Sequence, residues 1–382
     1  MAIQTAGRGR DTHLIKITLG YEPTTHKRLY HTETFKGTKR DARLREAELK
    51  IQHRAKRLVP SSVMTFRECF DLYCDEVGPR LSLSRFHSCK TRINHCLMPS
   101  VGDKELKELA RADFQKIYDS MQARSLSPHT IHGLHSVTRA IITWAIDKGF
   151  LRADPINGVT LPKIPKVRPE YLTYEETQAF FDVAGEYWYG NAFKAQFMTG
   201  LRNQELMAQM WEDIDFETAT MRVRRACVWI SGAFKGFKGT KTGEERIIEL
   251  DESTVNFFKS IKVTQETHIG VRKSHGLGYG DERLVFCTMD GHVPNHGVVT
   301  ECLKRILSKI GITRRFRWYG IRHTHATHLL ATEGANAKMI ANRLGHSVEM
   351  LFRIYGHEIP GQQREALSKL SSRIKLYCSE PN

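Results

Sequence analysis

The chain has 382 residues, 40% of them hydrophobic and 26% charged, which indicates a globular protein with two or three domains. Its apolar runs are too short to span a bilayer, and no apolar stretch near the start is typical of a signal peptide, so we expect cytoplasmic residence. The formal net charge of +16 indicates a polyanionic partner such as nucleic acid, because basic side chains release counterions when they bind phosphates.

The positive charge is concentrated near the N-terminus. Residues 1–60 hold 14 Lys and Arg against 6 Asp and Glu, which is half of the net excess in under a sixth of the chain. Two β-rich runs, residues 12–19 and 29–35, flank a turn-prone segment, and a weaker strand is predicted over residues 2–5. These features predict a small basic sheet at the start of the chain.

A helix is predicted over residues 38–58, with basic side chains around an apolar stripe. We assign that stripe to Leu44, Ala47, Ile51, Ala55 and Leu58. Together with the strands, this helix predicts a small, basic α+β domain over residues 1–58. The segment Val59-Pro60-Ser61-Ser62 is typical of a linker.

The next segment has helical periodicity throughout and predicts an all-α domain of four or five helices over residues 63–158. Ser127 and Pro128 suit the N-cap and first position of one helix, which Ala153-Asp154-Pro155 would end. Residues 160–169 contain three prolines and three cations, which favours an extended, semi-rigid linker.

Four cysteines of this predicted domain, Cys69, Cys74, Cys89 and Cys96, are separated by 5, 15 and 7 residues. These separations match no common zinc-ligand spacing, so we expect no structural metal there. Reduced thiols that pack as small apolar side chains are the simpler interpretation.

The rest of the chain mixes helices with short β segments at residues 220–229 and 246–250. Thr173 and Glu176 form a predicted capping box at the start of its first helix. We therefore predict a mixed, mainly-α domain with a small antiparallel sheet over residues 170–375.

Five chemically informative residues occur in this last predicted domain. They are Arg202 in the run TGLRNQEL, Lys241 in GTKTG, Arg322 in WYGIRHTH, His346 in LGH and Tyr355 in RIYGH. Attack on a phosphodiester builds negative charge on its non-bridging oxygens, and arginines stabilise that charge with fixed, bidentate donors. A tyrosine hydroxyl, with a pKa of about 10, needs such a positive field or a base to become a nucleophile.

This set resembles the tyrosine recombinase, or phage integrase, family. The family pattern is an early Arg in TGLRxxEL, a hairpin Lys, HxLRHT, LGH, and a Tyr nine residues beyond that His, which is the spacing of Tyr355 from His346. The match in motifs covers about residues 195–357. The resemblance implies catalytic roles for Arg202, Lys241, Arg322, His346 and Tyr355, with Lys241 as the acid that protonates the leaving 5′-oxygen.

The resemblance also implies an activity and its partners. It implies cleavage and rejoining of double-stranded DNA through a covalent 3′-phosphotyrosine, which stores the bond energy, so that no metal or nucleotide cofactor is required. The two N-terminal domains look like the arm-binding and core-binding domains of integrases, which bind accessory and core sites. A tetramer on DNA, coupled by a helix predicted over residues 360–370, and a directionality factor or DNA-bending protein are the implied partners.

One residue departs from the family pattern. Tyr319 occupies the position that is usually the first His of HxLRHT. A tyrosine can donate a hydrogen bond to a phosphate oxygen but is a poor base near neutral pH, so the group that deprotonates Tyr355 stays open. Tyr319 and Glu205 are therefore candidate accessory residues, and Glu205 could equally serve as a structural partner of Arg202 or Arg322.

Three alternative interpretations remain. His323, His325 and His328 could bind a metal, but they match no HExxH-type motif, and a histidine-rich helix beside an anionic ligand is the favoured interpretation. A type IB topoisomerase would use the same chemistry without a partner duplex. A non-catalytic DNA-binding protein could use a degenerate version of the same fold, although this chain retains all five residues.

Overall fold

A computed structural model describes residues 3–5, 12–21, 28–54, 64–165, 169–239, 245–332 and 336–355. The chain divides into two compact units, Met1–Lys166 and Val167–Asn382. None of the helices in the described ranges is long and apolar enough to cross a membrane.

The first unit begins with a small antiparallel sheet. Its elements are β1 (Ile3–Thr5), β2 (Thr12–Tyr21), β3 (Arg28–Lys36) and the helix α1 (Lys39–Arg54). The strand order is β1-β2-β3, and β2 pairs with β3 from Thr12 opposite Lys36 to Tyr21 opposite Arg28. All three predicted strands are confirmed, and the predicted helix is confirmed from Lys39 to Arg54.

The buried face of α1 differs from the predicted one. Ala42 and Leu49, seven residues apart, are buried against Ile15 and Ile17 of β2. Leu44 is 60% exposed and Ala47 is also exposed, so assigning them to the core was wrong. The described contacts of the sheet with α1 are made by Ile15 and Ile17 of β2, which cover the stripe that contains Ala42 and Leu49. The predicted stripe members Ile51, Ala55 and Leu58 lie outside the described side chains.

The second part of the first unit is helical, as predicted. It contains α2 (Phe66–Val77), α3 (Leu83–Cys96), α4 (Met98–Val101), α5 (Arg111–Ala123) and α6 (Pro128–Asp147). Ser127 caps α6 by accepting a 3.2 Å hydrogen bond from the Thr130 amide, with Pro128 at the first helical position. Short 3₁₀ turns at Gly78–Arg80 and Leu106–Glu108 connect the longer helices.

The helical core contains the cysteines. Cys69, Cys74 and Cys89 are buried among apolar side chains such as Phe70 and Ile93. Burial raises the pKa of Cys69 to about 12 because it disfavours the thiolate. The prediction that these thiols pack as small apolar groups is confirmed.

The second unit surrounds a central helix with other helices. They are α7 (Tyr174–Ala184), α8 (Gly190–Thr199), α9 (Asn203–Leu206), α10 (Glu252–Ser274), α11 (His296–Lys309), α12 (Tyr319–Ala331), α13 (Ala337–Leu344) and α14 (Val348–Tyr355). The central helix is α8, whose Ala192, Phe193 and Ala195 are fully or almost fully buried. The predicted capping box of α7 is confirmed, since Thr173 accepts from the Glu176 amide and Glu176 accepts from the Thr173 amide.

The strands of this unit form two small antiparallel sheets. The strands are β4 (Ile214–Asp215), β5 (Thr220–Val223), β6 (Arg225–Ile230), β7 (Ala233–Gly239) and β8 (Arg246–Glu249). One sheet has the order β4-β5-β8, and the other pairs β6 with β7. The strand β7 was not predicted, because its sequence AFKGFKG has two glycines and no regular alternation.

The predicted lysine lies between β7 and β8. Lys241 falls outside the described residues. Within the described residues, its flanking strands pair with different partners, β7 with β6 and β8 with β5. The glycine-flanked turn around Lys241, which the sequence places at a hairpin tip before β8, lies outside the described residues, so that placement stays a prediction.

Candidate active site

Three arginines converge on the end of α13. The carbonyls of residues 343–345 accept hydrogen bonds in succession from Arg246 Nε at 2.9 Å, from Arg322 Nη2, and from Arg202 Nη2 at 2.6 Å. Gly345 ends α13 with a φ of 61°, in the left-handed region. A Cβ there would lie 3.2 Å from Arg246 Nη1 and 3.3 Å from Arg202 Nη1, so glycine allows the close approach.

Glu205 holds two of these arginines together. Its carboxylate accepts from Arg202 Nη1 at 2.7 Å and from Arg246 Nη1 and Nη2 at 3.1 and 2.7 Å. It also accepts from the Arg202 amide at 3.0 Å, because the two residues are the N-cap and third position of α9. Burial alone would raise the pKa of Glu205, but the hydrogen bonds and charges of Arg246 and Arg202 outweigh it and lower the pKa to about 2.

Arg322 is fully buried and has no carboxylate among its described hydrogen-bond partners. Nη1 donates to the Gly200 carbonyl at 2.7 Å, and Nη2 also donates to His346 Nε2 at 2.9 Å. Burial lowers the pKa of Arg322 to about 10, which leaves it protonated at neutral pH. Its Nε and His346 Nδ1 are buried without a hydrogen-bond partner in the described part of the chain.

His346 is neutral in this arrangement. An arginine nitrogen can only donate, so Nε2 of His346 accepts, and the neutral ring carries its proton on Nδ1. Burial and then the charges of Arg322, Arg202 and Arg246 lower the pKa of His346 to about 3. Donation from Nε2 to a phosphate oxygen therefore requires the other tautomer or the imidazolium form.

Tyr355 ends the described part of α14 beside α12. Its hydroxyl lies 2.8 Å from His323 Nδ1, and the two ring centroids are 5.4 Å apart. Burial raises the pKa of Tyr355, while the charges of Arg322 and Arg202 act to lower it. The side chain is only 7% exposed, so the hydroxyl lies in a mostly desolvated setting close to both arginines.

Tyr319, where the family pattern has a histidine, is the first residue of α12. Its ring packs edge-on against the His323 ring, with centroids 4.9 Å apart and planes at 78°. The Arg322 guanidinium carbon lies 5.9 Å from the Tyr319 ring centroid, a cation–π distance. At 36% exposure, Tyr319 is the most accessible of these residues.

The other histidines of α12 point elsewhere. Nδ1 of His325 donates to the Phe197 carbonyl at 2.6 Å, while its Nε2 accepts from Arg343 at 3.3 Å. His328 bonds the Leu172 carbonyl at 2.9 Å through Nε2. The described residues contain no group of three His, Cys, Asp or Glu side chains arranged to hold a metal ion. These histidines instead fasten α12 to neighbouring segments.

The structure therefore brings four of the five predicted residues into one site. Arg202, Arg322, His346 and Tyr355 come together with Glu205 and Tyr319, whereas Lys241 lies outside the described residues. Neither the membership of Arg246 in the site nor the contact of His323 with Tyr355 was predicted from the sequence. The sequence indicates Arg246 only weakly, as an arginine at the start of a strand. The contact of His323 with Tyr355 is indicated only by the position of His323 directly after Arg322.

The second unit is similar in sequence to a known protein family. The sequence model of the phage integrase family matches residues 170–360, which is half of the chain. The chain belongs to the phage integrase family, the tyrosine-type site-specific DNA recombinases.

Two curated relatives illustrate the breadth of the similarity. A tyrosine recombinase XerC-like protein of Caldanaerobacter subterraneus subsp. tengcongensis is 28% identical over 275 residues, covering 67% of this chain and 69% of the relative. The ICEBs1 integrase of Bacillus subtilis is 21% identical over 366 residues, covering 94% of this chain and 97% of the relative. The second match extends the similarity into the N-terminal part of the chain.

Solved structures show the same fold. The Tn1549 transposon integrase in complex with a circular intermediate DNA superposes with a TM-score of 0.64 at 18% identity, covering 80% of this chain and 99% of that one. A lambda integrase tetramer bound to a Holliday junction superposes with a TM-score of 0.60 at 15% identity, covering 94% of this chain and 97% of that one. The predicted fold class is confirmed at the level of an integrase-like fold with helices and small antiparallel sheets.

Proposed function

We propose that this protein integrates or excises a phage genome or mobile element by cutting and rejoining DNA through a 3′-phosphotyrosine at Tyr355. The observation that carries the proposal is the convergence of Arg202, Arg322 and His346 on one site with a tyrosine hydroxyl beside it. Arg322 Nε and His346 Nδ1 are also buried without a hydrogen-bond partner in the described residues, so each has an unused donor. A phosphate oxygen is the acceptor that suits them.

The reaction assigns a role to each residue. Arg202 and Arg322 stabilise the charge on the non-bridging oxygens, and His346 donates to the same phosphate. Tyr355 attacks phosphorus, and Lys241 protonates the leaving 5′-oxygen. Glu205 and Arg246 hold Arg202 in place through the contacts described above.

The domain assignments form part of this proposal. Residues 1–58 bind accessory arm sites, residues 63–158 bind the core site, and residues 170–375 catalyse strand exchange. The solved neighbours include an integrase tetramer on a Holliday junction, which supports a tetramer of this chain on DNA. The predicted helix at residues 360–370 lies outside the described residues, and we propose that it couples protomers.

A nicked suicide substrate tests the covalent step. Wild-type protein should become trapped on DNA as an adduct, because the short fragment released by cleavage diffuses away. Tyr355→Phe should trap none, and Tyr319→Phe should still form the adduct because Tyr319 is not the attacking group. Equal trapping by wild type and Tyr355→Phe, or trapping by neither, would contradict the proposal.

The two rivals give different results in the same assays. A type IB topoisomerase relaxes supercoils as a monomer and forms no Holliday junction on two-site DNA. A non-catalytic DNA-binding protein binds the site without forming an adduct. We expect junction formation on DNA that carries two sites.

A further inference from the structure

The hydroxyl of the proposed nucleophile already has a hydrogen-bond partner. Tyr355 Oη lies 2.8 Å from Nδ1 of His323, which follows Arg322 directly on α12. The distance is within the range for a proton donor and its acceptor. His323 is a partly buried residue.

The other nearby groups are less suited to accept that proton. Tyr319 is a phenol, which is a poor base near neutral pH, and its ring edge packs on His323. His346 has Nε2 engaged by Arg322 at 2.9 Å and carries its proton on Nδ1. His323 is thus the imidazole that presents a ring nitrogen to the nucleophile.

We propose that His323 is a catalytic residue that takes the proton from Tyr355 during strand cleavage and returns it during rejoining. This inference rests on the proposed function. As Oη loses its proton to Nδ1, an oxygen lone pair forms the bond to phosphorus. The bond from phosphorus to the 5′-oxygen breaks, and its electron pair leaves with that oxygen, which takes a proton from Lys241. Rejoining reverses each transfer.

Tyr319 takes a different part in this arrangement. Its ring, packed at 78° against the His323 ring, limits the orientations of the imidazole and keeps Nδ1 towards Tyr355. Tyr319 is a positioning residue in this scheme. In this scheme His323, one helical turn further along α12, accepts the proton in place of the histidine that the family pattern has at position 319.

The charges around His323 favour an unprotonated ring before DNA binds. The groups that face it are Tyr319 and Arg322 from α12, Tyr355 from α14, and His346 from the loop between α13 and α14. Burial, and then the charge of Arg322, lower the pKa of His323 to about 4. A phosphate anion bound beside the ring would raise that pKa and so favour proton transfer at the moment of attack.

Two substitutions of the full-length protein test the assignment. His323→Asn keeps a hydrogen-bond acceptor near the position of Nδ1 but cannot take the proton, and His323→Ala removes both functions. We expect both to slow adduct formation on the suicide substrate by about 10²-fold at neutral pH, with unchanged DNA affinity. The difference in rate between these variants and wild type should become smaller as the pH rises, because hydroxide then replaces the missing base. Imidazole added to His323→Ala should restore part of the rate.

A substrate with sulfur in place of the bridging 5′-oxygen separates base from acid. A thiolate leaves without a proton, so this DNA should restore cleavage by Lys241→Ala but not by the His323 variants. His328→Asn, on the same helix but bonded to the Leu172 carbonyl, is the matched control and should cleave normally.

Other results would overturn the inference. If His323→Asn cleaves like wild type while His323→Ala does not, the hydrogen bond only holds Tyr355 in place. A loss of rate that is independent of pH, or one that the sulfur substrate restores, would also exclude His323 as the base. If wild-type protein forms no adduct that depends on Tyr355, the proposed function itself fails, and that result is distinct from a defect confined to the His323 variants.

Discussion

Glu205 is a buried carboxylate whose charge is balanced by Arg202 and Arg246. With only 2% of its side chain exposed, it could not stay ionised without those partners. The pair with Arg202 could be predicted, because residues three apart meet at the start of a helix. The pair with Arg246 could not, because it depends on how β8 packs beside α9.

Glu205→Gln should destabilise the protein at neutral pH by about 3 kcal/mol, because it leaves two arginines without their buried counter-charge. The folded-state pKa of about 2 lies below the ordinary 4.5, so the stabilisation is present above pH 4.5 and is lost as pH falls towards 2. Urea unfolding at several pH values should show that the difference in free energy of unfolding between wild type and Glu205→Gln becomes smaller as the pH falls from 4.5 towards 2.

Glu186→Gln is the matched control for this measurement. Glu186 pairs with Lys309 at the surface, where solvent screens the charges, so its unfolding curve should match that of wild type. An equal loss of stability in both variants, or a wild-type advantage that persists at pH 2, would contradict the role assigned to Glu205.

At the scale of secondary structure, the end of α8 fixes the position of Arg322. Gly200 ends this helix in the left-handed region with a φ of 71°, and its carbonyl accepts from Arg322 Nη1. A Cβ on Gly200 would lie 2.3 Å from Cδ2 of His325, so α8 and α12 approach closely at this point. The glycine therefore serves both the turn and the packing of the two helices.

Gly200→Ala should lower stability by about 2–4 kcal/mol, since backbone strain and overpacking add, and it should also slow DNA cleavage by displacing the carbonyl that holds Arg322. Gly276→Ala is the control, because Gly276 has a similar φ of 68° but no atom within 4 Å of a Cβ. That variant should lose about 1 kcal/mol and cleave normally. Urea unfolding and adduct formation measure the two effects, and equal behaviour of both variants would contradict the packing argument.

Most elements of the fold were predictable from local signals. The N-cap of α6 and the capping box of α7 depend on residues three positions apart, so the sequence alone indicates them. The buried face of α1 was not predictable, because the covering sheet determines which stripe is buried. The strand β7 was missed because its pairing with β6, around the turn at Ser231 and Gly232, stabilises a sequence with weak strand character.

The same limit applies to the candidate site. Motif spacing indicated Arg202, Arg322, His346 and Tyr355, because their order along the chain is informative. Motif spacing gives no distances between side chains. The contact of His323 with Tyr355 and the position of Arg246 at the end of α13 therefore could not be predicted from it. Contacts between residues distant in sequence depend on helix packing, which single-residue patterns do not specify.

At the scale of the whole molecule, the uneven charge makes a prediction about DNA binding. Residues 1–58 contain half of the net positive charge, and each phosphate contact that they make adds to the salt dependence of binding. Deleting residues 1–58 should weaken binding to accessory sites and reduce the slope of affinity against salt concentration, while core-site cleavage is retained. Filter binding over a range of salt concentrations measures the slope, and an unchanged slope would contradict the assignment.

The three successive carbonyls at the end of α13 have a consequence for charge matching. They are neutral acceptors, so the group of Arg202, Arg246, Arg322 and Glu205 keeps a surplus of two positive charges. A phosphodiester carries one negative charge before attack, and a second builds up as the nucleophile adds. In the proposed reaction this surplus, to which Lys241 would add, exceeds the single charge of the intact strand and would therefore favour the five-coordinate phosphorus of the transition state.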